Sequence, residues 1–143
     1  ALNNLRIAKN EPYRRTKLWK NTNRFQDGLK SLGVNIGQPQ SPVTPIRING
    51  SLEDGLQVLF GLRENHIFSY IVSYPVVPKG TCLIRMVPTF NHSDQDIDTT
   101  LAVFEKLVKK YPAFLLKEDN IETESIQKGQ ERLIRLLATQ GSQ

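Results

Sequence analysis

The chain has 143 residues, of which 38% are hydrophobic and 23% are charged, and its formal net charge at pH 7 is +5. This length and this balance predict one globular domain with a core of its own. No apolar run approaches the ~20 residues of a membrane-spanning helix, and we expect no signal peptide, which argues against an integral membrane protein.

The N-terminal third predicts helices. Residues 1–10 are compatible with a helix, and Pro12 then suits the first turn of a second one. Gly33 suits the position just after its end. Thr22 is the single polar interruption of its apolar stripe. The apolar members of that stripe, at spacings of three and four, are Leu18, Phe25, Leu29 and Leu32.

A loop leads to a predicted strand at residues 43–49, and a further helix follows. Ser51 suits the N-cap of that helix, which should end near Asn65. Gly55 and Gly61 weaken a helix, so close backbone packing is the predicted reason for their presence. The apolar positions expected to face the core are Leu52, Leu56, Leu59 and Phe60.

Two strands, at residues 68–74 and 82–87, are predicted to pair across a turn at residues 75–80. The second strand contains Cys82, the only cysteine. It excludes an intrachain disulfide and predicts a buried thiol in a reducing cytoplasm. No spacing of His, Cys and Asp predicts a metal site.

Ser93 and Asp96 predict a capping box, and the helix that they begin should stop before Pro112. One more helix is predicted at residues 125–138. The order of elements predicts an α+β fold in which helices cover one face of a three-stranded, mostly antiparallel sheet. We expect one domain over residues 1–112, with leading helices at residues 1–33, and a tail at residues 113–143.

Arg85 stands in the middle of the last predicted strand. Alternation places it on one face with Leu83 and Val87. Burying a guanidinium there is costly without an anionic partner, and its planar fork fits a carboxylate. We therefore predict that Arg85 binds a carboxylate. An exposed strand arginine without a ligand is the alternative.

Several motifs together resemble one family. They are the turn Tyr74-Pro-Val-Val-Pro-Lys-Gly, the Ile-Arg pair ending at Arg85, His92 seven positions later, Asp96-Ile-Asp, and Ser41-Pro-Val-Thr-Pro-Ile before a strand. Residues 1–112 resemble the C-terminal domain of the α-oxoamine synthases. These pyridoxal-phosphate (PLP) acyltransferases condense an amino acid with an acyl-CoA, and the family includes glycine C-acetyltransferase, serine palmitoyltransferase and 8-amino-7-oxononanoate synthase.

The resemblance implies a role for particular residues. It implies that Arg85 binds the carboxylate of the amino acid and that Val76 lies at a possible substrate contact, although packing in the hairpin explains Val76 equally well. His92 stands at a family position, but a histidine beside a helix N-cap also suits a tether of the loop to the backbone. Lys79 suits either a CoA phosphate or solvent. Leu83 stands where many members carry a further arginine, and serine palmitoyltransferases often have leucine there.

The resemblance also implies what lies outside this chain. Members of the family are fold type I enzymes in which a small C-terminal domain follows a large domain, and the large domain carries the Schiff-base lysine and the phosphate site of PLP. We therefore expect no catalytic or cofactor-binding residue here, and no activity of the chain alone. The parent protein is expected to be a cytoplasmic, homodimeric, aminotransferase class I/II-like acyltransferase that uses an amino acid and an acyl-CoA.

Two other functions stay open at this point. One is a noncatalytic paralogue that kept the small domain. The other is an independent basic α/β module that binds RNA, although helical spacing spreads the charges over more than one face and no aromatic strand motif for stacking bases is present. The basic cluster behind that alternative comprises Arg14, Arg15, Lys17, Lys20 and Arg24.

Overall fold

A computed structural model describes residues 6, 7 and 9–116. Its strands form one antiparallel sheet in the order β1-β3-β2, which confirms the predicted α+β fold with three strands. The helix predicted at residues 125–138 lies outside the described residues. In chain order the elements are α1 (Pro12–Ser31), β1 (Thr44–Ile48), α2 (Leu52–Glu64), β2 (Tyr70–Val72), β3 (Cys82–Met86), α3 (Asp94–Lys110) and α4 (Pro112–Leu115).

The helices pack on one face of the sheet, as predicted. Ile46 of β1 lies opposite Ile84 of β3, and both are fully buried. The same core contains side chains from α1, α2 and α3, among them Phe25, Leu62 and Phe104. Buried residues alternate with more exposed ones along β1 and β3, so only one face of each strand is buried against the helices.

The predicted ends of α1 are confirmed. Pro12 lies in its first turn, and Gly33 adopts a φ of +76° just beyond the last turn. Thr22, the polar member of the stripe, is fully buried, and its hydroxyl donates to the carbonyl oxygen of Leu18 at 2.8 Å. Because that hydrogen bond satisfies the hydroxyl, threonine can stand in an apolar stripe without a large cost.

Both predicted N-caps are confirmed, and each belongs to a capping box. The Ser51 hydroxyl accepts from the backbone N–H of Asp54, whose carboxylate accepts from the backbone N–H of Ser51 at 2.7 Å. Ser93 and Asp96 form the same pair of bonds at the start of α3. Each box satisfies two backbone donors that have no partner within the helix.

The core-facing stripe of α2 differs from the prediction. Leu52 and Phe60 were expected to face the core but are 45% and 55% exposed, whereas Val58 and Leu62 are fully buried. The helix is rotated so that its glycines, at the closest approach to the sheet and to α3, take part in the buried side. Of the predicted stripe Leu59 is buried, but the prediction left out Val58, Leu62 and the two glycines.

The prediction for the glycines themselves is confirmed. A Cβ atom on Gly55 would lie 2.7 Å from Cδ1 of Ile71 and 2.9 Å from Sγ of Cys82. A Cβ atom on Gly61 would lie 2.6 Å from Cδ2 of Leu107. All three distances are too short for a methyl group, so the two glycines permit α2 to approach the sheet and α3.

β2 is shorter than predicted. The expected strand at residues 68–74 is reduced to Tyr70–Val72, while residues 43–49 and 82–87 each lose only their ends. The backbone turns directly after Val72, since the N–H groups of Val76 and Val77 both donate to the carbonyl oxygen of Ser73. Residues that favour strands continue past Val72 in the sequence, but this turn ends the pairing of β2 with β3 there.

Candidate substrate-binding face

Arg85 lies at the centre of the sheet face that the helices leave free. It is opposite Pro45 of β1 on one side and opposite Tyr70 of β2 on the other. Its side chain is exposed, and it forms no ion pair with any carboxylate of the described residues. Its position therefore leaves the guanidinium available to an anion from outside this part of the chain.

We call the free side of the sheet the open face. Its members are the alternate strand residues Pro45, Arg47, Tyr70, Val72, Leu83 and Arg85. Apart from the two arginines, these side chains are apolar or aromatic. Tyr70 is 58% exposed, and its ring contacts that of Phe68 edge to face at a centroid distance of 5.2 Å. A charged pair formed on such a surface is strengthened when another domain or a ligand excludes water from it.

A cleft of about 610 Å³ begins where β3 ends. Met86 and Val87, the two residues after Arg85, line it, as do both histidines of the chain, His66 and His92. Its buried lining residues are apolar and include Phe25, whereas its exposed ones are polar and apolar together. The cleft therefore lies next to Arg85 along the chain and offers space for an apolar group with a polar end.

His92 makes the contacts of a loop tether. Its Nδ1 accepts a hydrogen bond from the backbone N–H of Thr89 at 3.1 Å, and its carbonyl oxygen accepts one from the Asn21 side chain at 2.9 Å. These bonds hold the turn ahead of α3 against α1. They match the structural alternative for His92, and its contact with substrate stays a prediction.

Val76 and Lys79 both lie in the turn between β2 and β3, outside the open face. Val76 is 78% exposed, so it does not pack in the hairpin. The Lys79 ammonium lies 5.4 Å from the centroid of the Tyr74 ring. Their contacts with substrate and with CoA stay predictions.

The basic cluster of α1 is largely matched by acidic side chains. Lys20 contacts Asp94 at 3.0 Å, Arg24 contacts Asp98 at 2.7 Å, and Arg14 pairs with a glutamate of its own segment. The hydrogen bond from Lys20 is the largest cause that holds the pKa of the Asp94 carboxyl below its ordinary value. The pairs of Lys20 and Arg24 tie α1 to α3, and all three pairs weigh against a free basic surface for RNA.

The described residues do not fit a PLP site. Every lysine among them is exposed on a helix surface or in a turn, and none follows a strand in a glycine-rich phosphate loop. In the same part of the chain, no cluster of three or more His, Cys, Asp or Glu side chains is placed to hold a metal ion. None of the helices described is both long enough and apolar enough to cross a bilayer.

Comparison with known proteins supplies the family. No protein-family model matches the chain. Over 123 residues it is 42% identical to a cysteate-C-fatty acyltransferase of Capnocytophaga ochracea, a match that covers 85% of this chain and 29% of that protein. Over 107 residues it is 32% identical to an 8-amino-7-oxononanoate synthase of Symbiobacterium thermophilum, covering 75% and 27%.

A solved structure agrees. Serine palmitoyltransferase of Sphingomonas wittichii superposes with a TM-score of 0.66 at 25% identity, covering 71% of this chain and 26% of that one. The chain belongs to the PLP-dependent α-oxoamine synthase family. Its fold is that of the small α+β domain in fold type I PLP enzymes.

The chain spans less than a third of the length of these α-oxoamine synthases. The match to the Capnocytophaga protein covers 85% of 143 residues, which is more than 112 residues. The similarity therefore continues past residue 112, into the region expected to be a tail. The domain boundary at that residue stays a prediction.

The two residues that flank Arg85 on the open face, Pro45 and Tyr70, were not predicted from the sequence. They lie beside Arg85 only through the register of β1 and β2 with β3, which the pattern of a single strand does not give. Arg47 had a signal in the sequence. It stands in the middle of a short apolar strand, as Arg85 does, and the same argument about a costly guanidinium applied to it.

Proposed function

We propose that this chain is the substrate-binding small domain of a PLP-dependent acyltransferase that joins the acyl group of an acyl-CoA to an amino acid. Arg85 binds the carboxylate of the amino acid. The observation that carries this proposal is the position of Arg85, exposed at the centre of the open face between Pro45 and Tyr70.

The role of Arg85 is to bind and orient. A guanidinium and a carboxylate form two parallel hydrogen bonds, which fix the plane of the carboxylate as well as its place. Fixing that plane also fixes the bonds around the adjacent Cα atom, and such positioning lowers the barrier of the reaction. Pro45 and Tyr70 limit the directions in which the Arg85 side chain can lie.

In this proposal the cofactor lies in a separate large domain, which supplies the Schiff-base lysine and the phosphate site. PLP contributes an electron sink for the bonds at Cα. The open face then meets the large domain, so the chain alone is inactive, and the parent protein is a cytoplasmic homodimer. The apolar and aromatic members of the open face support its contact with the large domain, because contiguous apolar surface often marks an interaction site.

The names of two relatives support a long-chain acyl donor. The Capnocytophaga protein is named for a fatty acyl group, and the Sphingomonas protein is named for a palmitoyl group. The Capnocytophaga protein is also named for cysteate, an amino acid whose side chain carries a sulfonate. We propose a fatty acyl-CoA as the second substrate of this enzyme.

The test is Arg85→Ala in the full-length protein. Loss of a charge-assisted pair predicts a fall in kcat/KM for the amino acid by about 30- to 1000-fold, which corresponds to ~2–4 kcal/mol. The KM for the acyl-CoA should change little. Arg15→Ala is the matched control, because Arg15 is an exposed arginine on α1, away from the open face. An unchanged kcat/KM for the amino acid in a folded Arg85→Ala enzyme refutes the assignment.

A further inference from the structure

Arg47 stands in β1 as Arg85 stands in β3. Each is the fourth residue of a five-residue strand, and the two strands share one pattern of burial, in which both arginines are exposed between buried neighbours. The register pairs Arg47 with Leu83 and Arg85 with Pro45. The two arginines are therefore diagonal neighbours on the open face.

Diagonal neighbours of an antiparallel pair lie roughly 7–8 Å apart, a distance that long side chains can bridge. Within the described part of the chain, neither Arg47 nor Arg85 forms an ion pair. Two cations at diagonal positions of one face repel each other, and covering the face would raise that cost by removing water. A ligand with two anionic groups would offset the repulsion, whereas a single carboxylate would leave one charge without a partner.

The surroundings of Arg47 leave room for such a group. Its guanidinium lies beside Gly37, where a Cβ atom would be 3.6 Å from Nε. Since Gly37 has no side chain, only its backbone lies beside the guanidinium on that side. Arg47 also borders a hollow of about 730 Å³, whose wall includes Pro45, Leu83 and Val77. Polar side chains also line the hollow, but Arg47 is its one charged side chain, so Arg47 is the feature that would select an anion.

We propose that the open face selects an amino acid with two acidic groups, whose α-carboxylate binds Arg85 and whose acidic side-chain group binds Arg47. The side-chain group is a sulfonate or a carboxylate, since a guanidinium binds either oxyanion with parallel hydrogen bonds. This inference rests on the proposed function and adds the class of amino acid. Leu83, directly opposite Arg47, supplies apolar contact to the stem of its side chain.

The test compares Arg47→Met with the unchanged full-length enzyme on three amino acids: cysteate, aspartate and alanine. Methionine keeps much of the length and removes the charge. We expect kcat/KM for the preferred acidic substrate to fall by about 10- to 100-fold, mainly through KM, because one charge-assisted contact is lost. For alanine the value should stay within about twofold. The unchanged enzyme distinguishes a sulfonate from a carboxylate by its preference for cysteate or aspartate.

A second variant moves the guanidinium across the ladder. Arg47→Leu combined with Leu83→Arg exchanges two residues that lie opposite each other on the same face. If the site needs a cation at this point of the face, the double variant should be at least about tenfold more active on the acidic substrate than Arg47→Leu alone. Arg47→Lys, which keeps the charge, should retain more activity than Arg47→Met.

The outcomes separate this inference from the proposed function. If Arg85→Ala impairs all three amino acids and Arg47→Met impairs only the acidic ones, both stand. If Arg85→Ala impairs them but Arg47→Met affects acidic and neutral amino acids equally, or raises only the KM of the acyl-CoA, the inference is overturned and the proposed function stands. If Arg85→Ala has no effect, the proposed function falls, and the inference falls with it.

Discussion

The two faces of β3 differ in almost every respect, although they are built from alternate residues of one five-residue strand. Cys82, Ile84 and Met86 are buried against the helices, and burial raises the pKa of the Cys82 thiol. Leu83 and Arg85, between them, lie on the open face. The covered face therefore determines whether the sheet holds together, and the open face can change with little effect on folding.

The largest expected effect tests this division directly. Ile84→Ala should lower the free energy of unfolding of the 143-residue chain by about 2–5 kcal/mol, because it leaves a cavity at a fully buried site. Leu83→Ala, one residue away on the other face, should cost about 0.5 kcal/mol. Urea unfolding followed by circular dichroism measures both values. Equal losses would contradict the division between the faces.

A smaller effect is expected where α2 meets the covered face. Gly55→Ala places a methyl group within 3 Å of Ile71 and Cys82, which overpacking penalises by about 1–3 kcal/mol. The better helix propensity of alanine offsets up to about 1 kcal/mol of that cost. The melting temperature should therefore fall for Gly55→Ala. It should stay unchanged or rise for Gln57→Ala, on the exposed side of the same helix, and a rise in both variants would show that the contact is loose.

The smallest effect concerns the start of α3 and depends on pH. The bond from the backbone N–H of Ser93 is the largest cause that holds the pKa of the Asp96 carboxyl below its ordinary 3.8. A carboxyl whose pKa is lowered in the folded state stabilises the protein at pH values above its ordinary pKa. This contribution is lost as the pH falls through the lowered pKa of the folded state. Asp96→Asn should therefore lower the urea midpoint at pH 7, and the difference from the unchanged chain should shrink towards pH 2. A difference independent of pH would contradict this account.

Local signals in the sequence predicted much of this fold. Ser51 and Ser93 marked two helix starts, Gly33 marked a helix end, and the period of two in β3 put Arg85 on the face opposite Ile84. Each of these depends on residues that are close in sequence. Helix caps and the alternation along a strand depend on neighbouring residues, so both could be predicted without the tertiary contacts.

The sequence could not supply what depends on distant residues. The rotation of α2 follows from contacts of its glycines with Ile71 and Leu107, which lie in other elements. Similarly, the neighbours of Arg85 follow from the register of three strands, so Tyr70 could not be identified as one of them. Arg47 is different, because its strand pattern was visible and its importance emerges only when the register brings it beside Arg85.

The most direct test of the account is the coupling between Arg85 and the carboxylate that it is proposed to bind. The dissociation constants of the preferred amino acid, and of the amine that lacks its α-carboxylate, would be measured for the full-length enzyme and for Arg85→Ala. We expect Arg85→Ala to weaken the binding of the amino acid by about 10- to 100-fold and to change the binding of the amine by no more than about twofold. An equal loss for both ligands would show that Arg85 does not bind the carboxylate, and it would contradict the proposed function.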